Sequence, residues 1–349
     1  MEKVHRFKGR TLMSMKTIAI VAGGDSSEYG ISLKSAAGLY SFIDKSNYKA
    51  CIVILRDRDW SACPEGIDST LRIPVDKNDF SYSYQGKKIN FDLAWITIHG
   101  TPGENGLLQG YFDLIGLPYN CCGVLPAALT FNKYVCNRYL SQFGLRVAPS
   151  VLLRREDSID ASKILTETGL PCFVKSNVGG SSFGTSKVKK AAELPQAIEL
   201  AFGEGNEVLV EGFLSGTELT NGCYKTTKGL VCLPVTEVVS KNEFFDYEAK
   251  YDPDKAEEIT PARISASMRD EIQQTTARIY KLLDCKGVIR VDYILCESAL
   301  YLLEVNTTPG MTTTSFIPQQ VKAAGMSMAE MMEQIIEDNL STTKTAKHV

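Results

Sequence analysis

Three mainly apolar runs near the N-terminus constrain the fold of this chain more than any other feature of its sequence. They are Thr17–Ala22, Tyr48–Leu55 and Phe91–Ile98. Runs of this kind are typical of strands that are buried on both faces of a parallel sheet. Glycine turns follow the first and third runs, and helical spacing follows each turn, at Ser32–Phe42 and Leu107–Ile115. This alternation predicts an α/β fold with a doubly wound parallel sheet, which binds ligands at the carboxyl ends of its strands.

Composition bounds the number of domains and excludes several partners. A chain of 349 residues with 44% hydrophobic residues is long enough for two or three domains. We expect a disordered extension at 1–14, an N-terminal domain at 15–120, a central domain at 121–209 and a C-terminal domain at 210–349. The net charge of −3 draws the chain neither to nucleic acid nor to an anionic membrane. No apolar run is long enough to span a membrane or to serve as a secretory signal.

Histidine is scarce in this sequence and cysteine is common. Of the three histidines only His99 lies away from the terminal tails, so a site with two histidine ligands inside the fold is excluded. The ten cysteines form no CxxC motif, and many lie in apolar runs, where cysteine behaves as a small hydrophobe. Scattered thiols in a chain of this size indicate a reducing, cytoplasmic location.

Two strands near the C-terminus each carry polar side chains on one face. In GVIRVDYIL the side chains of Arg290 and Asp292 share a face, and in LYLLEVN those of Glu304 and Asn306 do the same. Paired as a hairpin, the two faces would bring together three oxygen ligands suited to Mg²⁺, beside a guanidinium that can hold a phosphoryl oxygen. The alternative is a polar face that only meets solvent. The turn TTPGMTTTS that follows favours anion binding.

Four further patterns each allow two interpretations. Lys175 ends a strand before the loop SNVGGSSFG, which either cradles phosphate or is a plain hairpin loop. Glu211 and Glu218 flank a turn, and they either accept hydrogen bonds from adenine and ribose or are exposed acids. His99 directly follows a buried strand and is either structural or catalytic. The segment FFDYEAKYDPDKAEE is either a long lid or a disordered insertion.

Taken in order along the chain, these motifs resemble the D-alanine–D-alanine ligases of the ATP-grasp superfamily. The resemblance extends from Lys16 to about Asn339 and so covers nearly the whole chain. It is carried by GGDSSEYGISL, HGTPGENGLLQGYFDLIGLPY, FNKYVCNRYL, VKSNVGGSSFG, EGFLSGTE, YEAKY, IRVDYIL and LLEVNTTPGMTTTSF.

The resemblance implies a three-domain ATP-grasp architecture that holds ATP between its central and C-terminal domains. The residues implied to bind ATP are Lys133, Lys175, Glu211, Leu214, Glu218 and, in the lid, Lys250. Asp292, Glu304 and Asn306 are implied to ligate two Mg²⁺ ions, for which Mn²⁺ can substitute. A cytoplasmic homodimer is also implied.

The implied reaction joins two D-alanines at the expense of ATP, through a D-alanyl phosphate, for peptidoglycan synthesis. ADP and phosphate are the implied by-products. Glu28 and His99 would hold the first D-alanine, His99 near its carboxylate with a part in proton transfer. Ser315 would hold the carboxylate of the second D-alanine, and Phe316 would contact its methyl group.

Catalysis is implied to rest on an oxyanion site and a closed lid. Arg290 and the backbone N–H of Gly310 would hold the tetrahedral oxyanion. Glu28, Ser181 and Tyr251 would form a hydrogen-bonded triad that clamps the lid and excludes water from the acyl phosphate. Relatives that make D-alanyl-D-lactate generally lack the lid tyrosine, so Tyr251 favours the dipeptide over the depsipeptide.

Several positions depart from the usual pattern of the family. They are Tyr29, Gly30, Gly179 and Phe316, and they bear on the second subsite rather than on the reaction class. Two other functions stay open, an ATP-grasp ligase for another carboxylate and amine and a non-catalytic nucleotide-binding protein. The full metal-binding set argues against the second. A dehydrogenase is excluded because GGDSSEYG lacks the GxGxxG spacing.

Overall fold

The computed structural model describes residues 15–180, 184–240 and 256–345, so the expected extension at 1–14 lies outside the described residues. The helices are α1 Tyr29–Phe42, α2 Leu107–Ile115, α3 Val124–Phe131, α4 Lys133–Ser141, α5 Ala161–Thr168, α6 Leu194–Phe202, α7 Ala266–Leu282, α8 Phe316–Ala323 and α9 Met328–Thr345. The strands are β1 Lys16–Gly23, β2 Tyr48–Arg56, β3 Asp59–Cys63, β4 Ile73–Pro74, β5 Tyr82–Tyr84, β6 Lys87–Ile89, β7 Leu93–Ile96, β8 Arg146–Val147, β9 Ser150–Arg154, β10 Cys172–Ser176, β11 Ser186–Val188, β12 Glu207–Gly212, β13 Thr217–Thr226, β14 Gly229–Cys232, β15 Thr236–Ser240, β16 Ala256–Ile259, β17 Val288–Cys296 and β18 Ala299–Asn306.

The N-terminal sheet has the strand order β4-β3-β2-β1-β7. β1 pairs in parallel with both β2 and β7, which confirms the three predicted parallel strands. β3 and β4 run antiparallel, an arrangement that the apolar pattern did not predict. A connection of two residues joins β2 to β3, and so short a connection allows only a hairpin. Ser32 ties α1 to the carboxyl ends of this sheet, because its Oγ accepts from Gly23 N–H (2.9 Å) and donates to Thr97 O (2.7 Å).

The central sheet is antiparallel, in the order β11-β10-β12-β9, with α5 and α6 packed against it. The C-terminal sheet has the order β16-β15-β13-β17-β18-β8, and β14 pairs with β13 beside that path. α7 packs on this sheet through the buried side chains of Ile272 and Ile279. One hydrophobic cluster joins the N-terminal sheet to α9, and it includes Trp95 and Met331. The described part of the chain contains no helix with the length and hydropathy needed to cross a membrane.

Helical spacing in the sequence predicts one helix at Thr130–Phe143. This prediction is wrong, because the chain forms α3 and α4 with a break at Asn132. Asn132 has an extended backbone, and its side chain accepts from Val135 N–H (3.0 Å), which caps α4. The break makes Lys133 the first residue of α4. The sequence also predicts a final helix at Ser327–Asn339 followed by a polar tail, but α9 continues to Thr345 and so includes part of that tail.

Gly287 allows a close contact between the loop before β17 and the segment between α2 and α3. It has φ = +62°, and a Cβ at this position would lie 1.6 Å from the backbone O of Asn120. Gly325 has a similar φ of +73°, but no atom lies within 4 Å of its Cβ position. Gly287 therefore combines a left-handed backbone with a close steric contact, whereas Gly325 has the left-handed backbone alone.

We expect Gly287→Ala to cost about 3 kcal/mol or more of stability, since it adds a backbone clash to left-handed strain. Gly325→Ala should cost only about 1 kcal/mol, from the strain alone. Denaturant unfolding of both variants beside the wild type measures the difference. Equal losses in the two variants would contradict the steric argument.

Candidate active site

One cavity collects every predicted site residue within the described part of the chain. It has a volume of about 1230 Å³, and its walls come from the central and C-terminal sheets, from α1 and from the loop after β7. The predicted residues that line it are Glu28, His99, Lys133, Lys175, Glu211, Leu214, Glu218, Arg290, Asp292, Glu304, Asn306, Gly310, Ser315 and Phe316. Ser181, Lys250 and Tyr251 lie outside the described residues.

The antiparallel pair of β17 and β18 brings the predicted polar faces together. Asp292 lies directly opposite Glu304, and Arg290 lies opposite Asn306. Asn306 Nδ2 donates to Asp292 Oδ2 over 3.1 Å, so the side chains converge as the alternation predicted. The alternative of a face that only meets solvent is wrong, because Asp292 is only 6% exposed and the face lines the cavity.

Asp292 accepts hydrogen bonds from its own strand and from the two strands beside it. Arg290 donates twice, from Nε to Oδ1 (2.8 Å) and from Nη2 to Oδ2 (2.7 Å), which fixes the orientation of the guanidinium. Thr220 Oγ1 on β13 donates to Oδ1 over 2.5 Å. Burial alone would lower the pKa of Arg290. The carboxylates of Asp292, Glu304 and Glu218 raise that pKa instead, so the guanidinium keeps its charge at the cavity wall.

Lys175 and Glu211 form a buried ion pair on the central sheet. Lys175 Nζ lies 2.8 Å from Glu211 Oε2, and the two side chains are only 14% and 6% exposed. Burial alone would lower the pKa of Lys175, but Glu211, Glu304 and Glu218 raise it. The ammonium group therefore stays charged on the same cavity as the carboxylates of β17 and β18.

Lys133 links the start of α4 to the glycine-rich loop. Its backbone N–H donates to Asn177 O (3.1 Å), and its Nζ donates to Gly179 O (2.5 Å). The same Nζ lies 4.0 Å from Glu304 Oε2. The break at Asn132 is what directs this lysine to the cavity, since a continuous helix would carry no separate N-terminus here.

His99 lies at the carboxyl end of the N-terminal sheet and is 7% exposed. Burial and the charge of Arg290 lower the pKa of its imidazole, against the opposing effects of Glu28 and of a backbone hydrogen bond to Thr308. Its Nε2 has no hydrogen-bond partner among the described residues. The imidazole is therefore buried and neutral, it lines the cavity, and its Nε2 makes no hydrogen bond within the described residues. These features favour a role in the site over a structural role.

Glu28 and the glycine-rich loop are in close contact. A Cβ at Gly180 would lie 2.7 Å from Glu28 Oε2, so a side chain at this position would displace the carboxylate. Glu28 precedes α1, and Gly180 follows β10, so this contact joins the N-terminal and central sheets at one wall of the cavity.

The loop after β18 brings three more predicted residues to Arg290. A Cβ at Gly310 would lie 2.9 Å from Ser315 Oγ, and Ser315 Oγ accepts from Thr312 N–H (3.1 Å). The guanidinium carbon of Arg290 lies 5.4 Å from the centre of the Phe316 ring. The hydroxyl, the glycine N–H and the guanidinium therefore lie at the same end of the cavity.

Sequence reasoning missed two residues of this site. Thr220 shares a strand face with Glu218, two residues away, so the alternation in β13 was an available signal. Glu104 lies in the motif HGTPGENG and accepts from Gly100 N–H (2.7 Å). Burial and the nearby Glu28 raise the pKa of Glu104 to about 8. Only the fold brings the carboxyl groups of Glu104 and Glu28 close together.

Comparison with known proteins shows which family this chain resembles. The model of the D-ala D-ala ligase N-terminus matches residues 17–122, and that of the D-ala D-ala ligase C-terminus matches 139–337. The D-alanine–D-alanine ligase of Parabacteroides distasonis is 56% identical over 331 residues, which cover 95% of this chain and 99% of the relative. Among solved structures, D-alanyl-alanine synthetase A of Vibrio cholerae has a TM-score of 0.83 at 28% identity, covering 94% of this chain and 99% of that one. The VanG D-Ala:D-Ser ligase of Enterococcus faecalis has a TM-score of 0.80 at 34% identity, covering 92% and 98%.

The fold and the site define an ATP-grasp protein, in which an antiparallel central sheet and a mostly antiparallel C-terminal sheet enclose a cleft with lysines facing carboxylates. The two family models together span most of the chain, and the relative from Parabacteroides distasonis matches at well over half identity. The chain belongs to the D-alanine–D-alanine ligase family. This confirms the resemblance seen in the sequence motifs.

The raised pKa of Glu104 makes stability depend on pH. An unfolded glutamate ionises near 4.5, whereas Glu104 in the fold ionises near 8. Between these values the unfolded chain binds fewer protons than the folded one, so this residue lowers stability as the pH rises. We expect Glu104→Gln to melt above the wild type by a margin that grows from pH 5 to pH 8.

Thermal melts at the two pH values measure this margin. Glu297→Gln is the matched control, because Glu297 is exposed in the turn between β17 and β18. Its melting temperature should differ from that of the wild type by the same amount at both pH values. A margin for Glu104→Gln that does not change with pH would contradict the burial of a protonated carboxyl group.

Proposed function

We propose that the chain catalyses the ATP-dependent ligation of two D-alanine molecules to D-alanyl-D-alanine, as a step in the supply of peptidoglycan precursors. The reaction would pass through a D-alanyl phosphate and release ADP and phosphate. The observation that supports this most directly is the single cavity of about 1230 Å³, which holds the Arg290–Asp292 pair, two lysines and His99. A carboxylate must be phosphorylated before an amine can displace its oxygen, and this set of charges suits both steps.

ATP would lie between the central and C-terminal sheets. Lys133 and Lys175 would contact its phosphates, since both ammonium groups line the cavity near the carboxylates of the hairpin. Glu211, Leu214 and Glu218 line the same cavity and would contact adenine and ribose. The pair of Lys175 with Glu211 would hold the lysine in one geometry before the nucleotide binds.

Asp292, Glu304 and Asn306 fit Mg²⁺ by their chemistry, since carboxylate and amide oxygens are the hard ligands that this ion takes. Within the described residues no group of three or more His, Cys, Asp or Glu side chains could hold a metal. The remaining ligands would therefore be phosphate oxygens and water, as is usual for Mg²⁺ bound with a nucleotide. When bound, two such ions, or Mn²⁺ in their stead, would neutralise charge on the transferring phosphoryl group.

The protein's own groups would then position the substrates and balance the developing charge. The double hydrogen bond to Asp292 leaves other N–H groups of Arg290 for a phosphoryl oxygen or the tetrahedral oxyanion, with the N–H of Gly310 as the second donor. Glu28 would bind the ammonium of the first D-alanine. His99, kept neutral by burial, would exchange a proton near its carboxylate.

The second D-alanine would bind at the part of the cavity that contains Arg290. Ser315 would bind its carboxylate, and Phe316 would contact its methyl group beside Arg290. We also propose that Ser181 and Tyr251 complete a lid clamp with Glu28, and that Lys250 reaches the γ-phosphate. The free thiols of all ten cysteines support a reducing, cytoplasmic location for this enzyme.

A coupled assay of ADP release tests the proposal. With ATP and Mg²⁺ we expect release to require D-alanine, and mass analysis to find D-alanyl-D-alanine as the main product. D-Lactate and D-serine, each added with D-alanine, test the second subsite, since the ligase of Enterococcus faecalis carries D-serine in its name. ADP release that is indifferent to D-alanine would refute the proposal, and a larger yield with D-lactate or D-serine would reassign the second substrate.

Asp292→Asn should lower kcat by about 100-fold or more at saturating Mg²⁺, because it weakens both the metal ligand set and the hold on Arg290. Asp270→Asn is the matched control, since Asp270 is an exposed carboxylate on α7 that pairs with Arg269. The control should keep the kcat of the wild type. Near-normal kcat for Asp292→Asn would contradict the metal assignment.

A further inference from the structure

Two cysteines outside the active site lie directly opposite one another. Cys223 on β13 and Cys232 on β14 are register partners in an antiparallel pair. Leu233 N–H donates to Gly222 O (2.8 Å), so 222 and 233 form a hydrogen-bonded pair, and the next pair along is a non-hydrogen-bonded one. Opposed residues of that kind have Cα atoms about 4.5 Å apart, within the range that a disulfide spans.

The side chains are also placed for bond formation. The two sulfur atoms lie 3.6 Å apart, and a disulfide needs about 2.05 Å, so side-chain rotation can close the gap without moving either strand. Cys223 is fully buried, whereas Cys232 is partly exposed on a strand that pairs only with β13. The Cys232 thiol also donates to Gln273 O on α7 (3.4 Å), a contact that rotation would release.

The other cysteines lack this combination of access and a partner. Cys296 is partly exposed, but its register partner is Ala299. Cys122 and Cys285 contact each other, but both are buried. At Cys232, therefore, an oxidant in solution can reach a thiol that has a second thiol beside it.

We propose that Cys232 and Cys223 form a reversible disulfide site, in which Cys232 is oxidised by a peroxide and Cys223 then resolves the product. The Cys232 sulfur attacks one peroxide oxygen, the O–O bond breaks, and with hydrogen peroxide the other oxygen leaves as water, which gives a sulfenic acid. The Cys223 sulfur attacks that sulfur, the S–O bond breaks, and the hydroxyl leaves as water with the proton of Cys223. Two thiols lose two electrons in total, and one peroxide gains them.

The electrostatics of the pair agree with this order. The hydrogen bond with Cys223 lowers the pKa of Cys232, whereas that bond and burial raise the pKa of Cys223. The more exposed sulfur is therefore the one that ionises more easily and reacts first. Neither cysteine lines the active-site cavity, so the bond would shield Cys232 from irreversible oxidation without altering the cavity walls.

Peptide mapping of the full chain tests this site. The reduced protein is treated with hydrogen peroxide, remaining thiols are alkylated, and trypsin cleavage after Lys225 and Lys228 separates the two cysteines into peptides 191–225 and 229–241. We expect a linked pair with a mass about 2 Da below the sum of the two peptides, which a thiol reductant separates. Two alkylated cysteines, or a sulfinic acid at Cys232 in the wild type, would overturn the proposal.

Variants test the order of the two steps. Cys223→Ala should accumulate sulfinic acid at Cys232, because no resolving thiol remains. Cys232→Ser should leave Cys223 reduced, and it serves as an independent test if the first variant does not fold. Cys296→Ser is the matched control and should form the linked pair in wild-type yield. Oxidation of Cys223 in Cys232→Ser as fast as in the wild type would contradict the proposed order.

Discussion

The double hydrogen bond between Arg290 and Asp292 is the interaction on which the rest of this site depends. A buried ion pair is tolerated only when its remaining polar atoms are also bonded, and here Thr220 and Asn306 supply those bonds from the two flanking strands. The register of three strands in the C-terminal sheet therefore determines whether the pair keeps these supporting bonds. Arg290 and Asp292 lie two residues apart on β17, so a shift of one residue would turn both to the other face, away from Thr220 and Asn306.

Carboxylates near this pair also influence the charge state of the other groups in the cavity. Glu304 and Glu218 raise the pKa of Arg290 and of Lys175, which stand on different sheets. Arg290 in turn helps burial to lower the pKa of His99 at the carboxyl end of the N-terminal sheet. One connected set of groups therefore keeps Arg290 and Lys175 charged and the imidazole of His99 neutral. This is the distribution that transfer of a phosphoryl group to a carboxylate requires.

Local patterns in the sequence predicted much of this arrangement because the relevant periodicities are short. Alternation with a period of two put Arg290 and Asp292 on one face, and the structure has them there. The predicted bounds of Leu107–Ile115 agree with α2. Helical spacing did not reveal the break at Asn132, because the residues on both sides of the break are helical. The antiparallel β3 was missed since its residues carry no continuous apolar run.

The sequence alone determined the family, the chemistry of the residues available and the faces on which they lie, because these follow from residue type and from the spacing of neighbours in one element. Only the tertiary structure decided which faces meet. The approach of Gly180 to Glu28, the bond from Thr220 to Asp292 and the raised pKa of Glu104 all join residues that are distant in the chain. Their strength comes from burial and from the register of separate strands, and neither is a property of a single segment.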